Sequence, residues 1–224
     1  ARYASAKLFA RKRHEHSQFQ NPHLEAWLKH GSGVFLNLRD VSNVYGFPIS
    51  RVANQNSPQA ISRLKAWSPH LIVFAGGNIL REQIITLPRL GVLNIHLGLL
   101  PQIRGMSSPE WSLLNDVPLG ITIHSMDSGI DSGPILQRYE HPDAARCESL
   151  ADLRYRLIAF GVEKLGHVIA GLDRGTIVST PQSPPNGSRN GDNQYFVAHE
   201  WLQKRAATLL ARHNQPAPAE TMYG

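Results

Sequence analysis

Asn94 and His96 stand two residues apart in the stretch Val92-Leu93-Asn94-Ile95-His96, and Asp131 lies in a Gly/Asp/Ser loop that follows a second apolar run. If the first stretch is a strand, alternate side chains share a side, so Asn94 and His96 make a small polar platform while Ile95 turns to the core. Gly129 and Gly133 flank Asp131 and allow the sharp turn that brings a carboxylate to a histidine on a neighbouring strand. An amide, an imidazole and a carboxylate are the groups needed for acyl transfer between nitrogens. The amide and the imidazolium stabilise an oxyanion, while the carboxylate orients the imidazole and relays the attacking amine's proton. Taken singly each has a plainer role, Asn94 and His96 as a satisfied polar strand end and Asp131 as an Asx-turn residue. His124 reads as a half-buried strand histidine without chemistry.

Those side chains need a framework, and the chain spells one out. Leu71-Ile72-Val73-Phe74-Ala75, continuous and apolar before Gly76-Gly77, suits a strand buried on both faces of a parallel sheet. Val92–His96 is the next strand, with Pro101 closing the segment after it, and Ile121–Met126 and Ile135–Tyr139 follow. Ser57-Pro58 pairs an N-cap with a proline at the first helical position and starts a helix reaching about Trp67; Ser108-Pro109 repeats the signal around Trp111. Ser149 with Asp152 opens the longest helix, whose stripe is Leu150, Leu153, Leu157, Phe160, Leu165, Val168 and Leu172, with Gly175 past its end. Ala1 to about His16 suits a peripheral helix, Val34–Leu38 and Ile49–Val52 short strands, and Ala198–Arg212 a last amphipathic helix.

The alternation is that of an α/β, Rossmann-like fold, a mainly parallel twisted sheet flanked by helices, in which ligands sit beyond the carboxyl ends of strands. The expected organisation is one catalytic domain over residues 1–180, and a linker with a C-terminal helix over 181–224, where Pro, Gly, Ser and Asn gather.

Composition narrows the function classes. With 224 residues and 42% hydrophobic content there is enough for a real core. No apolar run approaches the roughly 18 residues a membrane helix needs. A single cysteine, Cys147, forms neither an internal disulfide nor a Cys-rich zinc site, which points to a reducing, cytoplasmic setting and to no metal. The net charge of +6 gathers partly at Lys7, Arg11, Lys12 and Arg13, without interleaved aromatics, which is a solvated helix end rather than a nucleic-acid surface.

Asn94-Ile95-His96-Leu97-Gly98-Leu99-Leu100-Pro101 with Arg104-Gly105, and the run from Gly120 to Leu136, resemble the two long motifs of folate-dependent formyltransferases. The resemblance spans roughly Ser57 to Gly175, in the right order. It implies Asn94, His96 and Asp131 as the catalytic trio and 10-formyltetrahydrofolate as the formyl donor. It further implies that Asn78, Ile79 and Leu80 line the folate pocket and that Met126 to Asp131, with Asp127, Gly129 and Ile130, wrap the pterin. Such polar groups, facing a solvent-filled crevice, would add little to folding stability. The chain departs from the family at Gly98, where serine is usual, and the family's first strand is not evident before Gly46.

Trp111, six residues after Gly105, looks like the members that act on amino sugars or aminoacyl-tRNA rather than on glycinamide ribonucleotide. About 49 residues follow Gly175, fewer than the C-terminal barrel of the tRNA enzymes needs. The expected acceptor is a small-molecule amine, an amino sugar nucleotide first, with no nucleic-acid or membrane partner and a homodimer left open. Glycinamide ribonucleotide, methionyl-tRNA, hydrolysis of the formyl donor, and a catalytically silent folate-binding module stand as alternatives.

Overall fold

Two serine caps begin the helices that the sequence marks most clearly. Ser57 Oγ accepts the Ala60 amide at 3.2 Å and opens α1 (Pro58–Trp67), while Ser149 Oγ accepts the Asp152 amide at 3.1 Å and opens α4 (Leu150–Asp173). Between them lie α2 (Glu82–Ile85) and α3 (Ser108–Leu114), and α5 (Glu200–His213) comes last. The computed structural model describes residues 8–11, 42–43, 46–144, 146–183 and 193–213. The chain divides into two compact units, Ala1–Ile72 with Gly76–Gly91, and Val73–Ala75 with Val92–Gly224.

In the first unit, β1 (Leu8–Arg11) pairs in parallel with β2 (Ile49–Val52), Leu8 against Ile49. This corrects the expectation of a peripheral helix at the start: backbone pairing to β2 overrides a weak local pattern in a short apolar stretch. The strand expected at Val34–Leu38 lies outside the described residues. Ala60 and Leu64 carry the buried face of α1. Asn56 ties the following segment by accepting the Arg81 amide and donating to the Ile79 carbonyl, both at 2.9 Å.

The second unit, which takes β3 from Val73 on, holds the four-stranded sheet of β3 (Ile72–Phe74), β4 (Val92–His96), β6 (Gly120–Ser125) and β7 (Ile135–Glu140), in the order β3-β4-β6-β7. The pairs β4–β6 and β6–β7 are antiparallel, so the sheet is mixed where a mainly parallel one was expected. The β6–β7 connection, Met126 to Pro134, is short enough for antiparallel neighbours and too short for a crossover helix. Val73 in β3 is 39% exposed, so this strand is not buried on both faces. A small parallel pair joins β5 (Arg104–Gly105) to β8 (Gln194–Tyr195).

Helix α4 packs on β4 and β6. A Cβ on Gly161 would lie 2.5 Å from Ile95 Cγ2, so only glycine lets the helix approach so closely. Ile95 therefore faces α4, and by strand alternation Asn94 and His96 face the other way. Leu93, Ile121, Ile123, Leu153, Leu157 and Val168 close the core. Helix α5 packs against α3 and α4. Trp111 of α3 stacks on Tyr195 with centroids 4.7 Å apart, and its Nε1 donates to the Phe196 carbonyl at 2.8 Å. Among the described residues no helix is long and apolar enough to cross a membrane.

Candidate active site

The antiparallel register sets Asn94 opposite His124 and His96 opposite Thr122. Cross-strand partners share a face of the sheet. Asn94 Nδ2 accordingly lies 3.1 Å from His124 Nε2, and it also donates to Asp131 Oδ1 at 3.4 Å. Asp131 Oδ2 is 3.4 Å from His96 Nδ1, and Asp131 Oδ1 is 3.5 Å from His124 Nε2. The trio read from the sequence is thus brought together around one carboxylate, with His124 as a fourth member.

Two carbonyl oxygens assign the tautomers, because an oxygen that only accepts must meet a ring N–H. His96 Nε2 lies 2.7 Å from the Ile103 carbonyl and carries its proton there. His124 Nδ1 donates to the Ser125 carbonyl at 2.9 Å, so Nε2 accepts from Asn94 in the neutral ring and donates to Asp131 in the protonated one. The His96 nitrogen that gains and loses a proton is therefore Nδ1, facing Asp131. Thr122 fixes the turn that returns Ile103 to His96, donating to the Gly98 carbonyl at 2.7 Å and accepting the Leu100 amide at 3.0 Å.

Burial pushes His96 below its ordinary value, against the opposite pulls of the Asp131 charge and the Ile103 carbonyl. Burial pushes Asp131 the other way, but contact with His124, the charge of His96 and the Gly105 N–H at 2.9 Å outweigh it. The carboxyl is left below the usual carboxylate range. His96 is 5% and His124 1% exposed, while Asn94 and Asp131 are half-buried. The expectation that these groups face a solvent-filled crevice is corrected: only Asn94 and Asp131 meet solvent, and both histidines are part of the packed interior.

The Asx-turn role considered for Asp131 belongs to Asp127, whose Oδ1 accepts the Gly129 amide at 3.0 Å and the Ser132 hydroxyl at 2.7 Å. Met126 is anchored through its amide to the Val92 carbonyl at 2.8 Å, and Gly129 and Ile130 are exposed. Of the other residues expected at folate, Asn78, Ile79 and Leu80 lie in the first unit: Ile79 is 72% exposed, Leu80 is buried, and the Asn78 carbonyl accepts from Gln55 Nε2. Cys147 is buried and its thiol is pushed up to about 11, first by burial and then by Asp152, which removes it from nucleophilic chemistry near neutral pH. Among the described residues no cluster of three or more His, Cys, Asp or Glu is arranged to hold a metal.

A family model described as formyl transferase matches residues 10–178. The methionyl-tRNA formyltransferase of Trichlorobacter lovleyi is 33% identical over 147 residues, which cover 65% of this chain and 46% of that protein. The chain thus spans about half the length of the curated relatives it matches. The formyltransferase PseJ of Anoxybacillus kamchatkensis, solved with UDP-4,6-dideoxy-4-formamido-L-AltNAc and tetrahydrofolate, superposes with a TM-score of 0.57 at 18% identity, covering 94% of this chain and 100% of that one. Glycinamide ribonucleotide transformylase 1 of Symbiobacterium toebii gives 0.54 at 24% identity, over 63% and 73% of the two chains. These two likenesses are of fold.

Proposed function

This chain belongs to the formyl transferase family, and we propose that it moves the formyl group of 10-formyltetrahydrofolate onto the primary amine of a small molecule, an amino sugar nucleotide first among acceptors. One observation carries the proposal: Asp131 lies 3.4 Å from both Asn94 Nδ2 and His96 Nδ1, an amide donor and a titrating nitrogen around one carboxylate. The exposed apolar side chain of Ile130, 43% exposed in the loop that carries Asp131, suits the flat ring of a folate.

In the proposed reaction the acceptor nitrogen bonds to the formyl carbon, and the bond from that carbon to the folate nitrogen breaks. Asn94 gives the oxyanion the N–H it otherwise directs to Asp131 at 3.4 Å, while its other N–H stays on His124 Nε2. Asp131 receives the proton leaving the amine and, with His96 Nδ1 beside it, holds it for return to the folate nitrogen. Residues 1–180 are the proposed catalytic domain, with 181–224 as linker and helix. PseJ, bound to a formamido sugar nucleotide and tetrahydrofolate, supports the sugar acceptor. The methionyl-tRNA formyltransferases among the relatives favour aminoacyl-tRNA as the second reading.

Incubation with 10-formyltetrahydrofolate and a panel of amino sugar nucleotides, glycinamide ribonucleotide and methionyl-tRNA tests both. Mass spectrometry should find one formyl group added to a sugar nucleotide. Formate released without any acceptor identifies a hydrolase. A melting temperature raised by a non-reactive folate analogue, with no turnover of any kind, identifies a binding module.

A further inference from the structure

We propose that Gln182 is a positioning residue for Asp131, holding the main chain of the catalytic turn while the Gly105 amide holds its side chain; this rests on the role given to Asp131 above. The Gln182 Nε2 group donates to two carbonyls, Asp131 O at 2.9 Å and Gly133 O at 2.6 Å. Its Oε1 accepts from Arg104 Nη2 at 2.9 Å and Nε at 3.3 Å. The guanidinium has only donors, so Arg104 fixes which end of the amide is oxygen and turns the NH2 toward the two carbonyls. Arg104 and Gly105 are adjacent: one orients Gln182, and the other binds Asp131 Oδ2.

The turn needs such a grip. Asp131 has φ +49°, a left-handed conformation that a residue with a Cβ adopts at some cost, and it persists only where surrounding contacts determine it. Gln182 is itself fixed from the β7 side, since Thr180 and Ile135 exchange both backbone hydrogen bonds at 2.7 and 2.8 Å. The segment Thr180–Gln182 therefore straps the exit of the loop to the sheet. Without it, Asp131 is free to leave the 3.4 Å approach to His96 Nδ1 and Asn94 Nδ2.

Gln182→Glu keeps size and pairing with Arg104 but cannot donate to the carbonyls; Gln182→Ala removes everything. Both should lower kcat between about tenfold and a hundredfold, as for a displaced catalytic group. KM for donor and acceptor should stay within about threefold. Amide hydrogen exchange over residues 127–134 should quicken in both. Arg104→Met should act in the same direction, and the Gln182→Ala/Arg104→Met double variant should be no worse than Gln182→Ala. A Gln182→Glu variant with parental kcat and parental exchange overturns the proposal, leaving Gln182 a packing residue. If Gln182→Ala fails to fold, Gln182→Glu still decides. If the parent transfers formyl to no amine, the functional reading fails, and loop exchange in Gln182→Glu alone decides the role of Gln182.

Discussion

Asn94 of β4 and His124 of β6 are direct cross-strand partners, the amide nitrogen of one 3.1 Å from the imidazole Nε2 of the other. When the ring is neutral, with its Nδ1 proton committed to the Ser125 carbonyl, Nε2 accepts and so holds the Asn94 side chain in one orientation.

His124→Leu should therefore free the Asn94 amide to flip and lower kcat about tenfold to a hundredfold, the range for a displaced group. His124→Gln, which can offer an acceptor oxygen, should retain more activity than His124→Leu. Equal losses in steady-state kinetics would show that the ring matters only for packing.

Asn94→Ala, His96→Ala and Asp131→Asn should each reduce transfer by about 10² to 10⁴. Asparagine is chosen at 131 because it tolerates the left-handed backbone there. The His96→Ala/Asp131→Asn double variant should be little worse than the worse single one, as for residues acting as a unit. Multiplying losses would place the proton relay elsewhere. His96→Ala should also destabilise, by roughly 1–3 kcal/mol, because the buried Ile103 carbonyl loses its donor.

Acid should unfold the protein through the same pair. His96 and Asp131 are both held below their ordinary values, so over the intervening pH range the unfolded chain binds more protons than the folded one. The His96 contribution is complete above about pH 6.5 and is lost as pH falls through its folded value; that of Asp131 is lost below about pH 3.9. Melting temperature should fall on going from neutral pH toward mild acid, and less steeply in His96→Gln. Identical slopes in parent and variant would contradict the assignment.

Gly98 is the position at which the family resemblance in the sequence leads one to expect serine. A Cβ there would sit 3.1 Å from His96 Nε2, 3.1 Å from Ser108 Cβ and 3.3 Å from Ile103 Cβ, so these neighbours must shift. Gly98→Ala should cost about 1–3 kcal/mol by overpacking. Gly98→Ser should cost less, since its hydroxyl can hydrogen-bond the displaced imidazole. Calorimetry decides both points: Gly98→Ala as stable as the parent would refute the crowding of His96, and Gly98→Ser less stable than Gly98→Ala would refute the compensating hydrogen bond.

The legible parts were those set by local chemistry. Ser57 and Ser149 announced their helices, and alternation at Asn94, Ile95 and His96 placed the platform on its strand with its core residue turned away. Strand direction is not local. Without the antiparallel pairing of β4 and β6, nothing connects Asn94 to a histidine 30 residues later, and His124 passes for an inert strand residue. The N-terminal strand was hidden for the same reason, because Leu8–Arg11 is a strand only by virtue of β2. Gln182 lies in the stretch read as a linker for its Pro, Gly, Ser and Asn, and the Gly105 donor is a backbone group, which carries no residue signature.

The tie between β5 and β8 constrains how this fold can be recombined. The amide that binds the Asp131 carboxylate belongs to Gly105, whose neighbours Arg104 and Met106 donate to the Asn193 and Tyr195 carbonyls at 3.0 and 2.9 Å. Trp111 clasps the same segment from α3. A chimera that exchanges the chain after residue 180 for a relative's would inherit the proposed trio, yet remove the opposite half of the clamp around Asp131. Functional transplants should therefore move Arg104–Trp111 and residues 193–196 as a matched set, although about 80 positions separate them along the chain.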